Sequence, residues 1–284
     1  MTDAPTPKHD EGYLTGAGGS QLYWQSWEPA DPKAIVVIAH GLAEHSGRYA
    51  YVAERLAESG YAVAAGDHRG HGRSGGLKGN IERMVHVLDD LDSVVRQAMQ
   101  RHPGLPTFLL GHSLGGLIAL DYLIGKGQEH LAGVVLSAPG VDPSIGTPAE
   151  KVMARILSGV LPNLPLTTLD ASAVSRDPEV VKAYQSDPLN YLGKVRIRTG
   201  AEGLAAVSRV AANMSRVTIP VLVMQGGEDR IVKPVGAEMV RDRVSSKDVT
   251  HKSYPGLFHE IFNEPERDSV IADVVGWISA RLPA

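Results

Sequence analysis

A serine lies in the pattern Gly-x-Ser-x-Gly formed by Gly111, Ser113 and Gly115. Strand-forming apolar residues precede the first glycine, and a helix-compatible apolar run follows the motif. This order predicts a sharp strand-to-helix turn, in which the flanking glycines remove side chains that would collide. The Ser113 hydroxyl would then project at the carboxyl end of a strand and act as a nucleophile. An ordinary glycine-rich strand-to-helix turn is the alternative interpretation.

A serine hydroxyl attacks a carbonyl only when a base removes its proton and an acid orients that base. Asp229 lies in a glycine-opened loop after a predicted strand, with Glu228 as the competing acid. His259 lies in a loop after the next predicted strand. Because loops at the carboxyl ends of parallel strands converge, we select Ser113, Asp229 and His259 as a candidate catalytic triad.

Acyl transfer also needs hydrogen-bond donors that point at the negative charge developing on the substrate oxygen. The backbone N–H of Leu114, at the start of the predicted helix, is one candidate. Leu42, in the loop after the strand that ends at Ala39, is predicted to supply the second. Backbone donation has no residue-type signature, so both assignments depend on position. We interpret His40, in the same loop, as a loop-bracing residue.

Short apolar segments alternate with helical ones, which predicts a mostly parallel central sheet flanked by helices on both faces. The predicted strands are Leu22–Trp27, Ile35–Ala39, Ala62–Ala65, Thr107–Leu110, Gly133–Leu136, Val221–Met224 and Lys252–Tyr254. The predicted helices are Tyr49–Ser59, Ile81–Arg101, Leu114–Ile124, Val235–Val244 and Asp268–Arg281. His251, the rival of His259, precedes the last predicted strand and is therefore the weaker candidate for the base.

The alternation stops after Gly140 and resumes near residue 217. Between these points, helical runs are punctuated by prolines and show no buried-strand pattern. We therefore predict a core formed by residues 1–140 and 217–284, with an inserted helical cap at 141–216.

One predicted cap helix carries an apolar stripe at helical spacing. The stripe packs onto the core, or it lines an acyl tunnel and meets a lipid surface, and these two roles are compatible in part. Its residues are Val152, Met153, Ile156, Leu157, Val160 and Leu161, and Leu164, Leu166 and Leu169 extend the apolar wall.

Composition limits the function classes. The chain has 284 residues, 43% of them hydrophobic, enough for one large core. A net charge of −4, without a cluster of basic residues, argues against nucleic acid as a partner. No cysteine is present, which excludes a cysteine nucleophile, disulfides and thiolate metal sites. Residues Met1–Glu11 are interpreted as a flexible tail, and no apolar run reaches about 18 residues. We expect a cytoplasmic protein without cofactor or metal, with contact at a lipid surface left open.

The segment Asp67–Ser74 contains two histidines and two arginines. These residue types are compatible with a metal or phosphate site. The glycines between them favour a structural loop beneath the floor of the active site.

Over nearly its whole length the chain resembles the α/β-hydrolase superfamily and, more narrowly, the monoacylglycerol lipase family. The motifs that carry the resemblance are His40–Tyr49, Asp67–Ser74, Gly111–Gly116 and, in the cap, Ser175–Leu189. The resemblance implies an α/β-hydrolase fold with an inserted helical cap. It further implies a polar pocket for the glycerol head group, lined by Glu44, Arg48, His112 and Tyr184. A loop salt bridge for Glu44 and Arg48, and a cap-packing role for Tyr184, are the alternatives.

The leading hypothesis is a serine hydrolase that cleaves monoacylglycerols to glycerol and free fatty acid through an acyl-enzyme. A broader carboxylesterase or a lysophospholipase with the same triad is the first alternative. A ligand-sensing protein built on a hydrolase fold is the second. Enzymes of this fold that use an aspartate nucleophile are disfavoured by Ser113.

Overall fold

A single mixed sheet organises the chain in a computed structural model that describes residues 6–283. Its strand order is β1-β2-β4-β3-β5-β6-β7-β8. The strands are β1 Lys8–Thr15, β2 Gln21–Glu28, β3 Ala34–Ala39, β4 Tyr61–Gly66, β5 Thr107–His112, β6 Gly133–Ser137, β7 Val221–Gly226 and β8 Val249–Tyr254. Pairings that involve β2 are antiparallel, and the pairings from β4 across to β8 are parallel. The predicted mostly parallel sheet is therefore confirmed.

Helices cover both faces of the sheet. They are α1 Ala50–Glu58, α2 Met84–Arg101, α3 Leu114–Gly125, α4 Pro148–Val160, α5 Pro178–Ser186, α6 Ile197–Asn213, α7 Val235–Arg243 and α8 Arg267–Ser279. Side chains of β3 alternate between two apolar layers, because successive residues of a strand point to opposite faces. Ile35 and Val37 pack in the layer with α2, α3 and α7, whereas Val36 and Ile38 pack with α1 and α8. Both faces of the central strands are buried, as a parallel sheet requires.

The prediction of a flexible tail at Met1–Glu11 is wrong for its last residues, because Lys8–Glu11 belong to β1. Residues 1–5 lie outside the described part of the chain. β1 is an edge strand held by polar contacts: Glu11 accepts a hydrogen bond from the Tyr23 hydroxyl at 2.6 Å. Such a strand lacks the apolar alternation by which strands are recognised in a sequence.

Helix α2 begins at Met84, three residues later than predicted. The N–H of Ile81 donates instead to the Thr199 hydroxyl of α6 at 3.2 Å. Glu82 then adopts a left-handed backbone, with φ of 40°, which no helix continues through. A tertiary contact therefore sets this boundary. His251 also differs from the prediction, since it lies within β8 and not before the last strand.

Three helices, α4 to α6, lie in the segment predicted as the cap. Helix α6 buries Ala206, Val207 and Val210 in the same apolar layer as α2 and α3. The apolar stripe of α4 is exposed, with Val160 74% and Ile156 58% accessible. The interpretation that this stripe packs onto the core is therefore wrong. No helix within residues 6–283 is both long and apolar enough to span a membrane.

Candidate active site

Ser113 occupies the turn between β5 and α3 in a strained backbone conformation, with φ of 54° and ψ of −116°. A non-glycine residue in such a conformation costs about 1–3 kcal/mol, which the surrounding structure must offset. The Ser113 N–H donates to the Ser137 carbonyl at 2.9 Å, and its own carbonyl accepts from the N–H groups of Gly116, Leu117 and Gly140. These four hydrogen bonds hold the serine at the carboxyl end of the sheet.

The two glycines around Ser113 allow the close approach of backbone segments. A Cβ on Gly111 would lie 2.4 Å from the Gly115 carbonyl oxygen, and one on Gly115 would lie 2.0 Å from the Ala39 oxygen. Both separations are far inside van der Waals contact. The steric reason predicted for these glycines is therefore confirmed.

His259 and Asp229 are brought together by the loops that follow β8 and β7. Nδ1 of His259 lies 2.7 Å from Oδ2 of Asp229, and both side chains are buried. Oδ1 of Asp229 accepts the N–H groups of Ile231 at 2.8 Å and Val232 at 2.9 Å. Burial alone would raise the pKa of Asp229, but the hydrogen bond and charge of His259, with these amides, hold it below its usual value. An ionised Asp229 fixes the ring proton on Nδ1, which leaves Nε2 as a proton acceptor.

Ser113 and His259 line the same cavity, which has a volume of about 210 Å³. Leu42 and Leu114, predicted to be oxyanion donors, line it too. Within residues 6–283, neither of their amides donates to a backbone or side-chain acceptor, so both are free to bind a ligand oxygen. A Cβ built on Gly41 would lie 3.3 Å from Ser113 Cβ, so the loop of Leu42 passes directly beside the serine.

The Leu42 loop is braced from beneath by histidines. His40 Nδ1 lies 2.7 Å from the Gly41 carbonyl oxygen, and its Nε2 accepts the N–H of His68 at 2.9 Å. In return, His68 Nε2 lies 3.0 Å from the His40 carbonyl oxygen. The loop-bracing interpretation of His40 is confirmed. Burial, followed by the neighbouring His71, lowers the pKa of His68 to about 3.

The segment Asp67–Ser74 is held by polar contacts, both within the segment and with residues outside it. Asp67 accepts from the backbone N–H of Ser46 at 2.8 Å and of Arg73 at 2.7 Å. Arg69 forms a buried ion pair with Asp90 at 2.7 Å. These contacts support the structural interpretation of the loop over a metal or phosphate site.

Glu44 and Arg48 form an ion pair at 2.8 Å. Arg48 also binds both carboxylate oxygens of Glu260, at 2.6 and 2.7 Å. Glu44 accepts the Gly41 N–H at 2.5 Å and the Tyr49 hydroxyl at 2.7 Å. Burial raises the pKa of Glu44. Burial would also raise the pKa of Glu260, but the charge of Arg48 outweighs this effect and holds the pKa of Glu260 below its usual value. This ion-pair cluster connects the loop of Leu42 to the loop of His259.

Tyr184 and His112 line the cavity together with Glu44. The guanidinium of Arg48 lies behind this wall, 4.6 Å from the centre of the Tyr184 ring. The His112 ring is 4.6 Å from the His259 ring, and its Nδ1 is 3.1 Å from the Ser137 hydroxyl. Burial, followed by the charge of His259, lowers the pKa of His112 to about 3, so its ring is neutral at neutral pH.

Two residues near the site were not assigned a role from the sequence. Glu260 directly follows His259, and a charged residue beside the candidate base indicates that a residue of opposite charge lies near the site. Gln225, near the end of β7, donates to Asp229 Oδ2 at 2.9 Å. A glutamine at the end of a buried strand gives no comparable indication of its partner. From the apolar wall predicted in the cap, Leu169 lines the cavity.

The chain is similar to known proteins in family profile, in sequence and in structure. The profile of the family described as serine aminopeptidase, S33, matches residues 30–266. A monoacylglycerol lipase of Mycolicibacterium smegmatis is 41% identical over 271 residues, covering 95% of this chain and 96% of that protein. The human monoglyceride lipase is 38% identical, covering 99% of this chain and 94% of that protein. The crystal structure of a Paleococcus ferrophilus monoacylglycerol lipase superimposes with a TM-score of 0.82 at 32% identity, covering 92% and 99% of the two chains.

Proposed function

The chain belongs to the monoacylglycerol lipase family, with the α/β-hydrolase fold, and we propose that it hydrolyses monoacylglycerols to glycerol and a free fatty acid. The observation that carries the proposal is that Ser113 and the paired His259 and Asp229 meet at one cavity. Relatives that match nearly the whole chain are named for this activity. The three side chains serve as nucleophile, base and orienting acid.

The first half of the reaction acylates the serine. The Ser113 Oγ attacks the ester carbonyl carbon while Nε2 of His259 takes the hydroxyl proton. The carbonyl oxygen becomes an oxyanion, which the N–H groups of Leu42 and Leu114 stabilise. The imidazolium then gives its proton to the glycerol oxygen as the carbon–oxygen bond breaks. Glycerol leaves, and the acyl group remains on Ser113.

The second half releases the fatty acid. A water molecule attacks the acyl carbonyl while His259 takes one of its protons. Collapse of the second oxyanion breaks the bond to Ser113, and the proton returns to the serine oxygen. Asp229 stays ionised throughout and stabilises the imidazolium in both halves.

The glycerol head group occupies the polar side of the cavity, formed by Glu44, His112 and Tyr184. Both carboxylate oxygens of Glu44 are occupied by protein donors. The hydroxyl of Tyr184 finds no hydrogen-bond partner among residues 6–283 and is available to a glycerol hydroxyl. Arg48 supports this wall through Glu44 and Tyr184. The four residues thus act as a glycerol pocket in which Tyr184 and His112 make the direct contacts.

The exposed stripe of α4 contacts the lipid surface from which an amphiphilic substrate is drawn. Val152, Met153 and Ile156 are each more than half exposed. Lys151 and Arg155 of the same helix line a groove with Arg83, and these cations suit anionic head groups. Glu82 and Glu202 line the same groove, and Glu202 pairs with Arg198 at 3.8 Å. We infer that the occupant of this surface is an anionic lipid layer.

A hydrolysis panel tests the substrate assignment. Monoolein, methyl oleate and lysophosphatidylcholine share an acyl-ester bond but differ in head group, and an aminoacyl anilide reports aminopeptidase activity. We expect the highest kcat/KM on monoolein. Equal rates on methyl oleate would reduce the assignment to a carboxylesterase, and preference for the other two substrates would overturn it.

The choice of acid is tested by two neighbouring substitutions. Asp229→Asn keeps the shape of the side chain but removes the charge that fixes the histidine, so hydrolysis should fall on the order of 10⁴-fold. Glu228→Gln is the matched control and should retain near-native activity. The reverse order would transfer the role to Glu228.

Vesicle binding tests the lipid surface. Ile156→Asp should weaken sedimentation with phosphatidylglycerol vesicles and leave hydrolysis of a short water-soluble ester unchanged. Val235→Asp, at an exposed position outside the cap, is the control. Equal binding by both variants and the parent would contradict the assignment.

A further inference from the structure

Gln225 is the penultimate residue of β7 and is completely buried. Its side-chain Nε2 donates to Asp229 Oδ2 at 2.9 Å and to the Val232 carbonyl oxygen at 3.1 Å. Val232 in turn donates its own N–H to Asp229 Oδ1 at 2.9 Å. The amide of Gln225 therefore closes the turn that carries the candidate catalytic acid.

The bond from Gln225 reaches the same oxygen that faces the candidate base. Oδ2 of Asp229 lies 2.7 Å from His259 Nδ1 and 2.9 Å from Gln225 Nε2. Two donors thus converge on one oxygen, while two backbone amides hold the other. Rotation of the carboxylate away from the imidazole would break bonds at both oxygens.

The oxygen of the same amide is unpaired. Oε1 of Gln225 is buried and has no hydrogen-bond partner within residues 6–283. Rotating the amide by 180° would place Oε1 against the Asp229 carboxylate and the Val232 carbonyl, so the orientation is fixed by its partners. A buried amide with an orphaned oxygen is destabilising compared with an apolar side chain of the same size. What the amide provides here, and an apolar side chain would not, is the hydrogen bond to Asp229.

We propose that Gln225 is a positioning residue for catalysis, which holds the Asp229 carboxylate in the orientation that aligns His259. This inference rests on the proposed roles of Asp229 and His259. Gln225 touches neither substrate nor the reacting atoms, and it acts through Asp229. Its loss should therefore slow the chemical steps and leave binding of a small ester unchanged.

The test uses Gln225→Met, which keeps the side-chain length and removes the amide. With a soluble p-nitrophenyl ester, kcat should fall by about tenfold to a hundredfold, the range for a misaligned catalytic group, while KM stays near the parent value. The downfield proton resonance of His259 Nδ1–H should broaden or shift. Unchanged kcat and an unchanged resonance would overturn the proposal.

A double-mutant cycle with Asp229→Ala separates positioning from a general structural effect. Once the acceptor is gone, adding Gln225→Met should produce no further loss in the rate of fluorophosphonate labelling. An additive loss would mean that Gln225 acts independently of Asp229 and would contradict the inference. If Asp229→Ala alone retains full activity, the proposed triad fails instead.

Gln225→Leu serves as a second variant in case Gln225→Met does not fold. If neither apolar variant folds, Gln225 is required for the fold, and its positioning role is overturned.

Discussion

Arg48 donates two hydrogen bonds to the carboxylate of Glu260, at 2.6 and 2.7 Å, and Glu260 is the residue directly after His259. Arg48 also pairs with Glu44, which holds the N–H of Gly41. The loop of the candidate base and the loop of the candidate oxyanion donor are thus joined through one guanidinium. Removal of that guanidinium leaves two buried carboxylates facing each other.

Arg48→Met should therefore lower the free energy of unfolding by about 3–5 kcal/mol, the usual effect of breaking a buried ion pair on one side. Denaturant unfolding measures the change. Arg241→Met removes an exposed ion pair with Asp242 and is the matched control, with an expected loss below about 1 kcal/mol. Similar small losses in both variants would show that the buried cluster contributes little to stability.

Gly41→Ala tests the position of the loop beside Ser113. The added Cβ would lie 2.7 Å from Glu44 Oε1 and 3.3 Å from Ser113 Cβ, so the loop must shift. Displacing one oxyanion donor should lower kcat by about 10²-fold or more. Gly276→Ala, at a helical glycine with open space around it, should retain activity and stabilise the helix. Native kcat in Gly41→Ala would exclude Leu42 as an oxyanion donor.

Tyr184→Phe tests recognition of glycerol. Loss of one hydrogen bond to the head group should lower kcat/KM on monoolein by about 1–2 kcal/mol in transition-state free energy. The value for methyl oleate should barely change, because that substrate offers no glycerol hydroxyl. The ratio of the two substrates is the measurement. Equal losses on both would mean that Tyr184 supports the cap and does not contact glycerol.

Acid should destabilise the fold through its buried histidines. The pKa values of His68 and His112 are lowered to about 3 in the folded chain, against about 6.5 when unfolded. The unfolded state therefore binds more protons below pH 6.5, and stability falls as pH falls towards 3. Each histidine should contribute a slope of about 1.4 kcal/mol per pH unit well below 6.5. His68→Gln should flatten the measured slope by that amount, and an unchanged slope would contradict the account.

The sequence indicated Ser113 and Asp229 because each follows an apolar strand, and such strands are readable from local pattern. The strand before His259 is largely polar, and His259 was selected because its loop follows the next predicted strand, in the chain order serine, acid, histidine. The sequence did not indicate β1, since that edge strand is held by hydrogen bonds such as Glu11 with Tyr23. It placed the start of α2 at Ile81. The N–H of Ile81 instead donates a hydrogen bond to the Thr199 hydroxyl, and the helix begins at Met84.

The sequence offered the Glu44–Arg48 ion pair as an alternative, and the structure contains it, but the sequence did not indicate that Arg48 also pairs with Glu260. Glu260 is 212 residues away from Arg48 along the chain. Residue types alone show that such charges can pair, but the pairing itself depends on how the loops of a parallel sheet converge. The same holds for the amide of Gln225, whose partner is set by the turn that follows β7.

The proposed reaction depends most on Ser113 as the nucleophile, and covalent trapping on monoolein tests this role directly. Ser113→Ala should fold with a native circular dichroism spectrum, since the hydroxyl serves the chemistry, and should lose hydrolysis on the order of 10³-fold or more. Mass spectrometry of the quenched parent enzyme should place the oleoyl adduct on the peptide that contains Ser113. A folded Ser113→Ala variant that keeps more than about a tenth of the parent rate, or an adduct on another residue, would contradict the account.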